Sequence, residues 1–248
     1  MIDIIRTYWQ TLLVGQYPQG PLGGVALTIL MAVVCIAVSL PLALVLALCR
    51  TSMYRLLRWP AFAVIQFVRG LPLIMFIFWA YFLLPALIHL TVSGVTTLLC
   101  ALVVYQSAYL AEVLRSGIEA IPHGQIQAAR SLGLGYFRTM RFVVIPQALF
   151  NVMPSILSEF ISTIKETSLG YVVGVQELSF AANQVNNMLM VKPVEVYTLL
   201  AGIYFVVCFC LTRAARLVER SVNQRRSGQG PVTTNRFIKL ASVQNDQA

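Results

Sequence analysis

Apolar residues gather in five long runs, at about residues 23–48, 68–88, 95–115, 146–166 and 196–213, with polar connections between them. No Asp, Glu, Lys or Arg occurs between Arg6 and Arg50, or between Arg69 and Glu112. An uncharged apolar run of roughly 18 or more residues is long enough to cross a bilayer as a helix. The pattern therefore predicts an all-α polytopic membrane protein with about five transmembrane helices. Pro41 and Pro72 fall inside such runs, which membrane helices tolerate when neighbours satisfy the freed carbonyls. The stretch from Ser168 to Val191 is less apolar and rich in Gly, Asn and Gln, and it predicts a loop with short helical pieces. The first run, Leu22 to Cys49, is well beyond the roughly 7–15 residues of a signal-peptide core. A retained span is expected there.

Only 11% of the 248 residues are charged, against roughly 25% in soluble domains. The net charge of +9 has a positional cause. Arg50, Arg55, Arg58 and Arg69 lie between the first two runs, and Arg115, Arg130, Arg138 and Arg141 between the third and fourth. Seven more cations, Arg213 through Lys239, follow the fifth. Cations concentrate in cytoplasmic connections, so the N-terminus is expected outside and the C-terminus inside. This divides the chain into an extracytoplasmic segment (1–21), a transmembrane domain (22–217) with a cytoplasmic loop at about 116–146, and a flexible cytoplasmic tail (218–248). Basic residues spread in this way are not the single patch with a motif that nucleic-acid binding requires. The five cysteines lie in or beside apolar runs without metal-ligand or redox spacing, and His89 and His123 stand alone. No metal and no cofactor is expected.

The stretch "QAARSLGLGYFRTMRFVVIP", residues 127–146, interrupts this greasy chain with three arginines, two glycines and a closing proline. A helical piece from Gln125 to Leu132 is expected to break at Gly133 and Gly135. A second, Tyr136 to Val144, leads to Pro146, which suits the start of the next span. The stretch resembles the EAA loop of importer permeases of the ATP-binding cassette superfamily: Glu-Ala-Ala, a glycine after three more residues, and Ile-x-Leu-Pro after nine more. The matching positions are Gln127, Ala128, Ala129, Gly133, Val143, Ile145 and Pro146, with Gln in place of Glu, and Val and Ile in place of Ile and Leu. "RGLPLI" (69–74), "YFLLP" (81–85), "SAYLAEVLRSGIEAIPHGQ" (107–125), "IPQALFNVMPS" (145–155) and "EFISTIKETSL" (159–169) are similar to blocks of polar amino-acid uptake permeases. Ser116 and Ser158 stand where Gly and Asn are the pattern. The resemblance covers roughly residues 22–220. It implies a type I importer permease fold and an ATPase dimer docked on the loop. It further implies a second permease subunit, identical or different, and an extracytoplasmic solute-binding protein. The setting it implies is a bacterial cytoplasmic membrane, with polar amino acids or close relatives as cargo.

Chemistry inside the bilayer centres on the fourth run, which holds Glu159, Lys165 and Glu166. An ionisable side chain facing lipid costs roughly 2.5–3.5 kcal/mol at the bilayer centre, so these three must face a partner, a cavity or an interface. Glu159, Ser162 or Thr163, and Glu166 share one helical face, a stripe of acceptors suited to a substrate's ammonium group. The bland alternative is that Glu159 pairs with a cation across a subunit interface. Lys165 points elsewhere and suits gating or packing. Glu112 and Arg115, three apart, suit an ion pair near the cytoplasmic boundary. The chain contains no GxxxxGK[ST] nucleotide-binding loop, so a translocating subunit rather than an ATPase or other enzyme is expected. The competing expectation is an ion-coupled carrier or channel that relays protons through Glu159 and Glu166.

Overall fold

The computed structural model describes residues 2–89 and 92–227. The order is α1 (Ile2–Val14), α2 (Gly24–Thr51), α3 (Arg55–Gly70), α4 (Leu73–Phe78), α5 (Leu84–Ile88), α6 (Gly94–Glu119), α7 (His123–Ser131), α8 (Tyr136–Thr139), α9 (Ile145–Glu166), α10 (Leu178–Leu189) and α11 (Pro193–Ser227). Four helical stretches are each long and apolar enough to cross a membrane: Gly24–Thr51, Gly94–Glu119, Tyr136–Val173 and Pro193–Leu217. A bent pair, Arg55–Gly70 with Leu73–Leu87, makes five if counted as one crossing.

That bent pair departs from the expected span at 68–88. α3 begins at Arg55, and its Ile65 is buried in the same cluster as Ala43, Ala47, Leu110 and Leu114. The first half of the crossing therefore packs one face, through Ala61, Ile65 and Val68, against the bundle. Arg55 and Arg58 made it read as a polar connection, although both lie at its very start. Pro72 ends α3 by holding Leu71 extended (φ −103°, ψ 140°), and the chain then turns by 102°. Arg69 consequently stands in the last turn of a helix packed on the bundle instead of lying in a loop.

Two prolines explain the irregular turns. Trp79–Leu83 and Met140–Val144 are both π-helical, and each is followed, after one intervening residue, by a proline, Pro85 and Pro146. In a regular α-helix each proline ring would clash with a carbonyl one turn back and leave it without a donor. Widening that turn absorbs the defect. The expected second helical piece of the polar loop is therefore not separate. α8, the π turn and α9 run on as one helix from Tyr136.

α2 and α6 form the spine, crossing where Ser39 donates to the Val103 carbonyl (3.1 Å) and Ser107 to the same carbonyl (2.6 Å). α9 closes on α6 at Gly117, where an added Cβ would lie 2.5 Å from Val152. Small residues allow this approach where lipid-like surroundings supply no hydrophobic drive. At one end α1, α10 and the first turns of α11 cap the bundle around Leu12, Leu178, Val185, Val196 and Leu199. Gly24, at φ +59° and with a Cβ position 2.3 Å from the Leu12 carbonyl, is where the chain turns from this cap into α2. The expected loop at 168–191 resolves into a 3₁₀ turn, Thr167–Val173, and α10. α11 continues to Ser227, past both the expected end of the span at 213 and the start of the tail at 218. The remainder of that tail, 228–248, lies outside the described residues.

Glu177 holds the cap to the bundle. It forms a bridge with Gly24, level with the start of α2, and sits between the spans. Its carboxylate caps α10 by accepting from the Ser179 and Phe180 amides (2.8 and 3.0 Å) and from the Tyr204 hydroxyl (3.0 Å). Burial pushes this carboxyl up from 4.5 to about 7 despite those donors. A carboxyl raised on folding contributes stability that is complete below its unfolded pKa and is lost as pH rises through the folded one. The purified protein should accordingly melt at a higher temperature at pH 5.5 than at pH 8. Glu177→Gln, which keeps an acceptor but cannot ionise, should flatten that difference.

Candidate functional site

The intramembrane cluster is assembled from the ends and middles of three helices. Arg69, in the last turn of α3, lies over the Tyr109 ring with its guanidinium carbon 5.1 Å from the centroid. Tyr109 and Tyr105, one turn apart on α6, have ring centroids 4.9 Å apart and hydroxyls 3.1 Å apart. Between them on the same helix, buried Gln106 donates its amide to the Glu166 carboxylate of α9. Ser162, one turn before Glu166 on α9, lies on the same side of the helix. One turn back along α9 from Ser162 stands Glu159, half-buried, and Arg69 is the cation whose attraction reaches it. Among the described residues no ion pair closes between the two. They stand close enough for the charge of one to be felt at the other without forming an ion pair.

Counted at 1.5 Å per residue, Glu159 lies ~21 Å from the start of α9 and Tyr109 ~22 Å from the start of α6. Both are near mid-span. Ser155 and Ser158 of α9 are exposed beside them, as is Arg69. A half-open face with opposite charges at that depth cannot look onto lipid at the costs given above.

The stripe expected along α9 is only partly present. Glu159, Ser162 and Glu166 face the cluster. Thr163 is fully buried and its hydroxyl donates back to the Glu159 carbonyl (2.9 Å), so it serves the helix and its packing. Lys165 points away and lines a crevice of about 320 Å³ against α11, with Arg213 and Arg216. Arg69 and Gln106 are the members that sequence reasoning missed. "RGLP" is a motif, but nothing in its pattern tells that α3 carries its arginine against Tyr109. At the other end of α6, Glu112 meets Arg115 (2.8 Å) and, more loosely, Arg50 of α2 (3.8 Å), while Arg115 also reaches Glu119 (2.6 Å). Arg50 lies over Phe62 of α3, 4.6 Å from the ring centroid, so three helices are tied there.

The polar loop forms an elbow below this network. α7 carries Gln127 and Ala128 exposed and Ala129 buried. It ends with Gly133 at φ +79°, with the Leu134 amide bonded to the Ala129 carbonyl and the Gly133 amide to the Arg130 carbonyl. This is a Schellman stop, and a left-handed residue is what it needs. Thr139 pins the return, donating its buried hydroxyl to the Leu134 carbonyl (3.3 Å). Val143, Ile145 and Pro146 lie in the π turn and the start of α9. Nothing lies within 4 Å of a Cβ built on Gly133, so its surroundings within the subunit are open. Leu132 and Phe137, 83% and 86% exposed, flank it and present bare apolar surface. They are further elbow residues that the motif alone did not single out.

The match to known proteins decides what this architecture belongs to. Residues 39–224 match the family described as the inner membrane component of binding-protein-dependent transport systems. The chain is a member of that family. It is 36% identical over 209 residues to the inner membrane amino-acid ABC transporter permease protein YhdY of Escherichia coli strain K12, covering 83% of this chain and 57% of that one. It is 35% identical over 215 residues to the probable glutamine ABC transporter permease protein GlnP of Bacillus subtilis strain 168, covering 83% and 97%. Among solved structures, an amino acid ABC transporter crystallised with histidines superposes with a TM-score of 0.74 at 31% identity, over 80% of this chain and 92% of that one. The methionine transporter MetNI, in an inward-facing form, shares the fold (TM-score 0.65, 19% identity). The resemblance drawn from the EAA-like elbow is thus borne out, and this permease is a multi-pass membrane protein. The competing ion-coupled carrier finds no support among these relatives.

Proposed function

We propose that this permease is the translocating subunit of an ATP-driven importer for amino acids, with Arg69 and Glu159 as the two poles of its substrate path. The observation that carries the reading is the pair of opposite charges held apart at mid-span. A zwitterion needs an acceptor for its ammonium group and a donor for its carboxylate. Glu159 supplies the first, Arg69 supplies the second, and the faces of Tyr105 and Tyr109 add attraction for a cation. The half-open side of the cluster is the side that a second permease subunit, identical or different, closes. The elbow at Gln127–Gly133 seats an ATPase, one of a dimer, in the cytosol. The capped end, with α1 and α10, faces outward toward a solute-binding protein, in a bacterial cytoplasmic membrane. Relatives carrying the words amino acid and glutamine in their names support this class of cargo.

The test is uptake by the reconstituted assembly. Import of a labelled amino acid should require the ATPase and ATP, and should persist when the proton gradient is collapsed. Uptake that survives without the ATPase would overturn the reading.

A further inference from the structure

A second cavity lies away from the substrate path, where the ends of α2 and α9 diverge above the elbow. It has a volume of about 660 Å³. Its walls are apolar: Leu48 and Cys49 of α2, Leu57 of α3, Met140 of the π turn and Ile145 of α9. Arg130, from the last turn of α7, and Arg141 also line it, and both are exposed. No carboxylate of the described residues pairs with either arginine. Tyr54 and Tyr136 also line it, and Ser52, Met53 and Phe137 complete the lining. Amphipathic rings at this level mark the boundary between hydrocarbon and headgroups.

We infer that this cavity binds an anionic phospholipid, with its phosphate between Arg130 and Arg141 and an acyl chain against the apolar wall. Two observations select that occupant. The first is charge: two cations with which no carboxylate of the described residues pairs border a chamber that is otherwise mainly apolar. The second is continuity with the bilayer. Val38, Leu42 and Val45, exposed by 44%, 46% and 58%, form a stripe along α2 at three- and four-residue spacing, and Cys49 is its next member. An acyl chain leaving the cavity continues along that stripe. A soluble protein segment has no such path. The lipid touches α2 on one side and both limbs of the elbow on the other, α7 through Arg130 and the α9 helix through Arg141. Its occupancy therefore braces the joint that the proposed function assigns to coupling, and the binding itself can be measured without transport.

The experiment is native mass spectrometry of the detergent-purified full chain, titrated with phosphatidylglycerol or with phosphatidylcholine of the same acyl chains. Phosphatidylglycerol should be retained in preference. A basic residue near an anionic lipid surface contributes about fivefold to binding, so the double variant Arg130→Gln, Arg141→Gln should weaken retention about thirty-fold. Cys49→Trp, which fills the wall and leaves both arginines, should abolish it. Circular dichroism of each variant, matching the parent, excludes loss of fold as the cause. Equal retention of the two lipids, or undiminished binding to the arginine variant, would overturn the assignment. So would competition by inorganic phosphate at equal concentration, which would make this a free-phosphate site. One-for-one expulsion of the lipid by the purified ATPase would make it a protein seat and would equally overturn it.

Discussion

Gly133→Arg should leave a folded, membrane-inserted permease that no longer retains its ATPase and no longer imports. Three magnitudes lead to this. Placing a side chain in the left-handed region costs about 1–2 kcal/mol, small beside the roughly 5–15 kcal/mol that holds a domain together. Within the subunit the new side chain starts in open space, with nothing within 4 Å of the Gly133 Cβ position. A closely fitted interface is less forgiving, and disrupting its central contacts costs 2 kcal/mol or more, about thirty-fold or more in affinity. Leu132 and Phe137, exposed on either side, are the apolar surface that such a contact would cover. The measurement is ATPase co-purification together with uptake in the same membranes. Gly133→Ala bears the same backbone strain without the bulk and should keep most of both, and His123→Ala serves as control. Retention of the ATPase and normal import by Gly133→Arg would reduce the elbow to an ordinary loop.

The second large effect belongs to the mid-span charges. Glu159→Gln should lower uptake by roughly 10- to 100-fold, the range of a hydrogen bond to a charged group, with assembly and basal ATP hydrolysis unchanged. Arg69→Gln should act similarly. The double variant separates two explanations. If Glu159 and Arg69 merely neutralise each other, removing both charges relieves the unpaired partner and recovers activity. If each holds one end of the substrate, the double variant is at least as impaired as either single one, and the coupling is read from the cycle of four proteins. Recovery in the double variant would sink the substrate role.

How far the sequence could be read depended on whether the signal was local. Uncharged runs and proline positions are local, and they placed the spans represented by α2, α6, α9 and the first part of α11. The elbow was legible because Gly133 and its neighbours carry their own stop. Arg69 was not legible: its place depends on α3 packing Ile65 between α2 and α6, a tertiary fact that overrides the polar look of Arg55 and Arg58. Thr163 failed for a different reason. Helical spacing puts it on the right face but does not show that its hydroxyl turns back to its own backbone. The cap was invisible as a unit, since α1 joins α10 and α11 through residues as distant in sequence as Leu12 and Val196.

The widened turn at Met140–Val144 sits on the one continuous helix that joins the elbow to Glu159. A π turn holds one residue more than the α turn it replaces, and each residue advances a helix by about 100°. The turn therefore acts as a phase setting between the two ends of a single rod. With it, Glu159 lies within reach of Arg69's charge while Gly133 keeps its place at the elbow. If the surplus residue were reabsorbed into regular helix, the carboxylate would swing about a quarter-turn round the axis with no change in the hydropathy of the span. Angular register along this rod, as well as the identity of the residues upon it, is thus part of what the permease has to conserve to keep its elbow and its charges working together.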